Sequence, residues 1–94
     1  MSFVSPKLNR EILSDGSFVD GSIEQITPDQ WRPHGVRYRL AWVQDGERRV
    51  LFDNHHGKGD HFHIDDEEYS YTFRSIDELA RDFAEQIRKL GGKV

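Results

Sequence analysis

Val36-Arg37-Tyr38-Arg39-Leu40-Ala41-Trp42 is the stretch whose reading decides the fold. Val36, Tyr38, Leu40 and Trp42 fall on one face of an extended chain and Arg37 and Arg39 on the other, the period of two that marks a half-buried strand. Just beyond, Gln44-Asp45-Gly46-Glu47 contains Asp-Gly, a pair suited to the positive backbone angles of a two-residue hairpin turn. Arg48 to Asp53 is the returning strand.

The same signals extend outward in both directions. Upstream, Glu11-Ile12-Leu13 runs into the turn-forming cluster Ser14-Asp15-Gly16-Ser17, and Phe18 to Ile26 resumes with apolar residues at near-alternate positions, a first hairpin. Thr27-Pro28-Asp29 and Arg32-Pro33-His34-Gly35 bracket a loop. Downstream, His61-Phe62-His63-Ile64 reads as a strand, Asp65 to Glu68 as a turn, and Tyr69-Ser70-Tyr71-Thr72-Phe73 as the strand that comes back, with Tyr69, Tyr71 and Phe73 on one face. Ser75 and Glu78 form a capping-box pair at a helix start. Ile76, Leu79, Ala80, Phe83, Ile87 and Leu90 then recur at helical spacing, Arg88 and Lys89 sit in the last turn, and Gly91-Gly92 ends it. The expected fold is α+β: an antiparallel β-meander with a C-terminal amphipathic helix packed on one face.

A chain of 94 residues is long enough for one domain, 1–94, with a modest core. With 35% hydrophobic, 12% aromatic and 32% charged residues, burial has to come from a few large side chains: Trp31, Trp42, Phe52, Phe62, Tyr69, Tyr71, Phe73 and Phe83. The absence of cysteine excludes a disulfide framework, a thiolate metal site and a cysteine nucleophile. No apolar run approaches the roughly 18 residues that span a bilayer, and the first residues lack the apolar stretch of a secretory signal, so a soluble cytoplasmic protein is expected. The net charge of −4 gives no overall basic face for nucleic acid. Contact with RNA would have to use local cations, among Arg32, Arg37, Arg39, Arg48, Arg49 and Lys58, and an acidic total also suits a basic partner.

Chemistry concentrates in Asp53-Asn54-His55-His56-Gly57-Lys58-Gly59-Asp60-His61-Phe62-His63, which holds four of the five histidines. Alternation puts His61 and His63 on the face opposite Phe62 and Ile64. Gly57 and Gly59 permit a tight bend that would bring His55, His56 and Lys58 back toward them, while Asp53 and Asp60 orient an imidazole and fix its tautomer. Paired imidazoles with a lysine are the parts that metal-free RNA cleavage needs: a base for the 2′-hydroxyl, an acid for the leaving oxygen and a cation for the phosphorane. Arg37 and Arg39 are the candidate phosphate-binding strip. The competing chemistry is a divalent ion such as zinc on Asp53, His61 and His63. The plainest alternative is a polar network that only fixes the turn.

Other features carry less. Asp65-Asp66-Glu67-Glu68 lacks the ligand spacing of a calcium loop and reads as a solvated turn. Trp31 and Trp42 read as core rather than as a stacking platform, and His34 as a loop residue. A nucleotide-modifying role for Gly57-Lys58-Gly59 is weakened because the full phosphate-loop pattern is absent.

The run Phe52-Asp53-Asn54-His55-His56-Gly57-Lys58-Gly59-Asp60-His61-Phe62-His63, with Tyr38-Arg39-Leu40-Ala41 before it and Tyr71-x-Phe73 and the final helix after it, resembles the TumE family of toxin–antitoxin proteins. The motif-bearing part is 35–90. Phe52 stands where that family often has tyrosine, so a hydroxyl is missing there. The resemblance implies a small bacterial toxin that is silenced by a helix-turn-helix antitoxin. It leaves the reaction open between a histidine-dependent ribonuclease, a metal-dependent hydrolase and a non-catalytic inhibitory module.

Overall fold

The alternation in the decisive stretch produces the centre of a sheet. A computed structural model describes residues 8–54 and 57–94, with only the backbone at residues 8 and 9. Six strands, β1 (Leu8–Ile12), β2 (Phe18–Gln25), β3 (Val36–Gln44), β4 (Glu47–Asp53), β5 (His61–Ile64) and β6 (Glu67–Ser70), precede one helix, α1 (Ile76–Lys89). They pair in sequence order as an antiparallel meander, and α1 packs on one face against β4. This is the expected α+β architecture.

On β3 the predicted faces hold. Val36, Tyr38, Leu40 and Trp42 are buried, and Arg37 and Arg39 are exposed. Asp45 and Gly46 both take positive φ and close the β3–β4 turn, as their identities require. Val50 and Phe52 join the four β3 residues on the helix face, where Leu79 and Ile87 of α1 cover them. The Ser75 hydroxyl accepts from the Glu78 N–H at 3.0 Å, satisfying one free donor at the helix start. The Glu78 carboxylate turns to Arg74 instead. No helix among the described residues is long and apolar enough to cross a membrane.

Two aromatic expectations are corrected. Trp31 is half-buried outside the core cluster. In its loop Asp29 accepts from the backbone N–H groups of Trp31 and Arg32 and from the Arg32 guanidinium, and Arg32 is the buried side chain. Tyr69 lies on the predicted face, stacked on Phe62 at 5.1 Å, but stays largely exposed because β6 is the sheet's last strand.

The turn before β6 is also shorter than expected, and the strand starts at Glu67. Asp65 adopts positive φ, so the reversal needs little more than Asp65 and Asp66. β5 has four residues to offer, and its pairing ends at His61 with Ser70. Tyr71 and Phe73 therefore leave the ladder, yet both remain packed against the core.

Asn54 is the structural residue that alternation does not reveal. It is fully buried just past the end of β4. Its Oδ1 accepts from the Tyr38 N–H at 3.1 Å and its Nδ2 donates to the Val36 carbonyl at 2.7 Å. The side chain thus continues the β3–β4 ladder where the backbone stops. Asn54→Ala would strand both β3 groups without partners, and a buried unpaired group costs about 1–3 kcal/mol. The expected loss is about 2–5 kcal/mol, read from urea unfolding at unchanged m-value, whereas Asp66→Ala on the exposed turn should stay within about 0.5 kcal/mol.

Candidate functional site

The register of the meander lines up the candidate residues. Arg39 on β3 faces Asp53 on β4, Asp53 faces His61 on β5, and His61 faces Ser70 on β6. In the next row Ala41, Leu51, His63 and Glu68 are successive partners. Phe62 stacks on Phe52 at 4.7 Å on the helix face, so by alternation both imidazoles stand on the far face. Arg39 shares that face with His61 and His63, a relation that no single strand of the sequence could reveal.

His61 is the fixed member. Its side chain is 7% exposed, and Nε2 lies 2.8 Å from Asp53 Oδ1. Its Nδ1 is 3.0 Å from the Gly59 carbonyl. A carbonyl only accepts, so Nδ1 carries the proton. Asp53 Oδ1 is buried and receives no aligned hydrogen bond among the described residues, so the Nε2 contact is a close approach without the direction of a hydrogen bond. Nε2 therefore faces Asp53 without a hydrogen bond of its own, and the Nδ1 contact with Gly59 is what holds the ring. Asp53, expected from the motif as an orienting residue, stands beside His61 Nε2.

His63 is the accessible member. Its ring meets that of His61 edge-on at 5.1 Å, and its Nε2 is 3.8 Å from Glu68 Oε1. Lys58 Nζ reaches the same oxygen at 3.3 Å. The hydrogen bond from Lys58, with smaller contributions from its charge and from His61 and His63, holds the Glu68 carboxyl below the usual carboxylate range. From sequence alone Glu68 reads only as part of an acidic turn, and the signal that is missing there is the β5–β6 register. Gly57 and Gly59 both take positive φ, and a Cβ on either would meet nothing within 4 Å. The backbone conformation of the bend, not lack of space, is what calls for glycine there. His55 and His56 lie outside the described residues.

Asp60 does not touch His61 through its side chain. Its Oδ2 accepts from the Tyr38 hydroxyl at 2.8 Å and from His34 Nε2 at 3.0 Å. The Val36 N–H donates to His34 Nδ1 at 3.2 Å, which makes Nε2 the protonated nitrogen of that ring. Both His34 nitrogens are therefore committed, and Phe73 packs on the ring at 4.2 Å.

The arginines separate. Arg37 is bound to Glu24, Arg49 to Asp65 and Gln44, and buried Arg32 to Asp29. Arg39 has no hydrogen-bond or ion-pair partner among the described residues. The metal-ligand set of Asp53, His61 and His63 is not assembled: among the described residues no three His, Asp or Glu side chains are arranged to hold an ion.

A meander with a helix on one face and an imidazole-bearing strand on the other defines the class, a small α+β protein with its polar site on the far face of the sheet. The chain belongs to the family described as Toxin TumE, whose sequence model matches residues 3–90, so the family also takes in the N-terminal hairpin. Its role is that of a toxin, and an antitoxin partner follows from that membership. No curated protein and no solved structure gave a significant match.

Burial above all, then the hydrogen bond to Asp60 and the charge there, pushes the Tyr38 hydroxyl far above its ordinary range. Burial and the hydrogen bond to Asp82 do the same for Tyr71. Both groups keep protons that the unfolded chain releases above pH about 10. Their contribution to stability is therefore whole below that pH and is lost as pH rises above it. An alkaline absorbance titration should show no phenolate from Tyr38 or Tyr71 until cooperative unfolding, and Tyr38→Phe should flatten the fall of stability above pH about 10.

Proposed function

We propose that this toxin cleaves RNA by metal-independent acid–base chemistry on the far face of the sheet. The observation that carries the reading is the cross-strand row in which unpaired Arg39, Asp53 and His61 align, with His63 and Lys58 beside them. Arg39 binds the phosphate adjoining the scissile bond. His63, the more accessible of the two imidazoles, takes the proton of the ribose 2′-hydroxyl as its oxygen attacks phosphorus. The bond from phosphorus to the 5′-oxygen breaks, and that oxygen receives a proton from a second imidazole, assigned to His55 or His56 of the same sequence motif. The products are a 2′,3′-cyclic phosphate and a 5′-hydroxyl.

Lys58 leaves Glu68 to meet the extra negative charge of the phosphorane, the kind of oriented cation that oxyanion stabilisation requires. His61, held at Nδ1 by the Gly59 carbonyl, acts through its packing against His63. Arg37, tied to Glu24, is left with a supporting electrostatic part only. The antitoxin is assigned to the helix-turn-helix type on the strength of the family motif, and a basic partner is favoured by the net charge of −4.

His63→Ala should lower RNA cleavage by about 10²–10⁴-fold and abolish growth arrest, with an unchanged unfolding midpoint. Cleavage should persist in a chelator and yield cyclic phosphate ends. Arg39→Ala should weaken RNA binding more than Arg37→Ala does. Full toxicity in a folded His63→Ala protein, or cleavage that stops with chelator and returns with added zinc or manganese, would overturn the reading.

A further inference from the structure

His61 is held by a carbonyl, so its orientation depends on what holds that carbonyl. The Gly59 oxygen belongs to the peptide group that joins Gly59 to Asp60. The plane of that group is set at one end by Gly59, in the left-handed region at φ +78°, and at the other by Asp60. Gly59 has little stiffness of its own. Asp60 is therefore the end that can be anchored.

It is anchored on both sides. Its carboxylate accepts from Tyr38, which is buried in the core, and from His34, whose tautomer is locked by the Val36 N–H. Its own carbonyl accepts from the Tyr71 N–H at 3.3 Å. Phe73 stacks on the ring of His34 and, at 5.8 Å, on that of Tyr38, closing the cluster. Nothing in this cluster reaches Lys58, His63 or Arg39, and neither nitrogen of His34 is free to exchange a proton with a ligand. The arrangement has one evident output, the direction of the Gly59 carbonyl 3.0 Å from His61 Nδ1.

We infer that Asp60, clamped by Tyr38 and His34, is a positioning residue for His61: it fixes the Gly59 carbonyl, which holds the His61 proton on Nδ1 and turns Nε2 toward Asp53. The clamp transmits order from the core to the far face through a single peptide plane. It gives the segment Gly57-Lys58-Gly59-Asp60-His61 a division of labour, with the glycines bending the chain and the aspartate stopping the bend at one angle. The inference rests on the proposed function only for its catalytic consequence, because the tautomer of His61 can be read without any reaction.

The test is long-range ¹⁵N–¹H NMR of the imidazoles in the full chain, together with RNA cleavage kinetics. The starting protein should show His61 as a single form with its proton on Nδ1, and His34 with its proton on Nε2. Asp60→Ala should mix the tautomers of His61. Tyr38→Phe, which removes one hydroxyl and no carbon, should move the His61 signals the same way to a smaller extent. Asp60→Asn should restore the wild-type pattern only in part, because an amide oxygen can take the place of Oδ2, which accepts from Tyr38 and His34, while an amide nitrogen cannot replace Oδ1 at 3.2 Å from His34 Nε2. In cleavage, Asp60→Ala should lower kcat by about tenfold to a hundredfold with little change in KM, the expected size for a misplaced catalytic group. Folded Asp60→Ala and Tyr38→Phe proteins that keep the single Nδ1–H form of His61 would overturn the inference. Tautomer mixing in a protein that cuts no RNA would uphold it and overturn the proposed function instead.

Discussion

Past Asp53 the chain leaves the β3–β4 ladder for the glycine bend, and the Tyr38 N–H and the Val36 carbonyl would be left unpaired inside the protein. The Asn54 amide meets both. An amide carries one acceptor and one donor group, which is what one residue of a neighbouring strand would offer. The pairing can therefore end without a cost in buried polar groups, and at a defined residue. Because side chains alternate along a strand, a slip of one position would carry Arg39, Asp53 and His61 to the helix face and Leu40, Phe52 and Phe62 to the far face. The register that this amide closes thus makes the core and the site at once. Trp42, Phe52 and Val50 under α1 fix it from the other side by burial, each worth about 1.5–3 kcal/mol on leaving water.

The far face divides into a rigid half and an accessible half. Asp53 and His61 are nearly closed to solvent, with partners at 2.8 and 3.0 Å. Lys58 and Glu68 are about half exposed, and their ion pair at 3.3 Å is of the kind that holds weakly against water and salt. This combination suits a site that works on an arriving ligand. The buried pair keeps a local charge in place, and the surface pair opens at small cost when another anion competes for the lysine. Leu51 and Ala41 are also buried on this face, so the polar groups are set into a partly apolar surface that strengthens their interactions.

What the sequence reveals follows from how local each signal is. The period of two in Val36 to Trp42, the Asp45-Gly46 turn and the Ser75 cap each depend on a few consecutive residues, and the structure agrees with all three. The apolar face of Tyr69, Tyr71 and Phe73 was also legible, but alternation reports which side is buried rather than which backbone is paired. β6 therefore ends at Ser70, where β5 has nothing further to offer. Asn54, the Asp60 clamp and the partnership of Glu68 with Lys58 are not legible, because each joins residues 10 to 26 positions apart through a register that the sequence does not give. The two aspartates of the motif look alike in sequence. Asp53 lies within a strand on the far face, while Asp60 sits one residue before β5, where its side chain turns to the core.

Charge on this molecule acts at two ranges. The excess of 17 acidic over 13 basic residues repels a polyanion at a distance, but at physiological salt that repulsion fades beyond about 8 Å. At contact the local balance decides, and Arg32, Arg37 and Arg49 are already neutralised by Asp29, Glu24 and Asp65. Arg39 has no partner among the described residues. On the proposed reading, such an acidic chain gathers little nucleic acid by long-range attraction, but its Arg39 can hold a single phosphate once it arrives. The same long-range field draws in a basic protein. On the proposed reading, an antitoxin with a basic surface is therefore favoured at encounter even though RNA is favoured at the site, and silencing depends on the antitoxin arriving first.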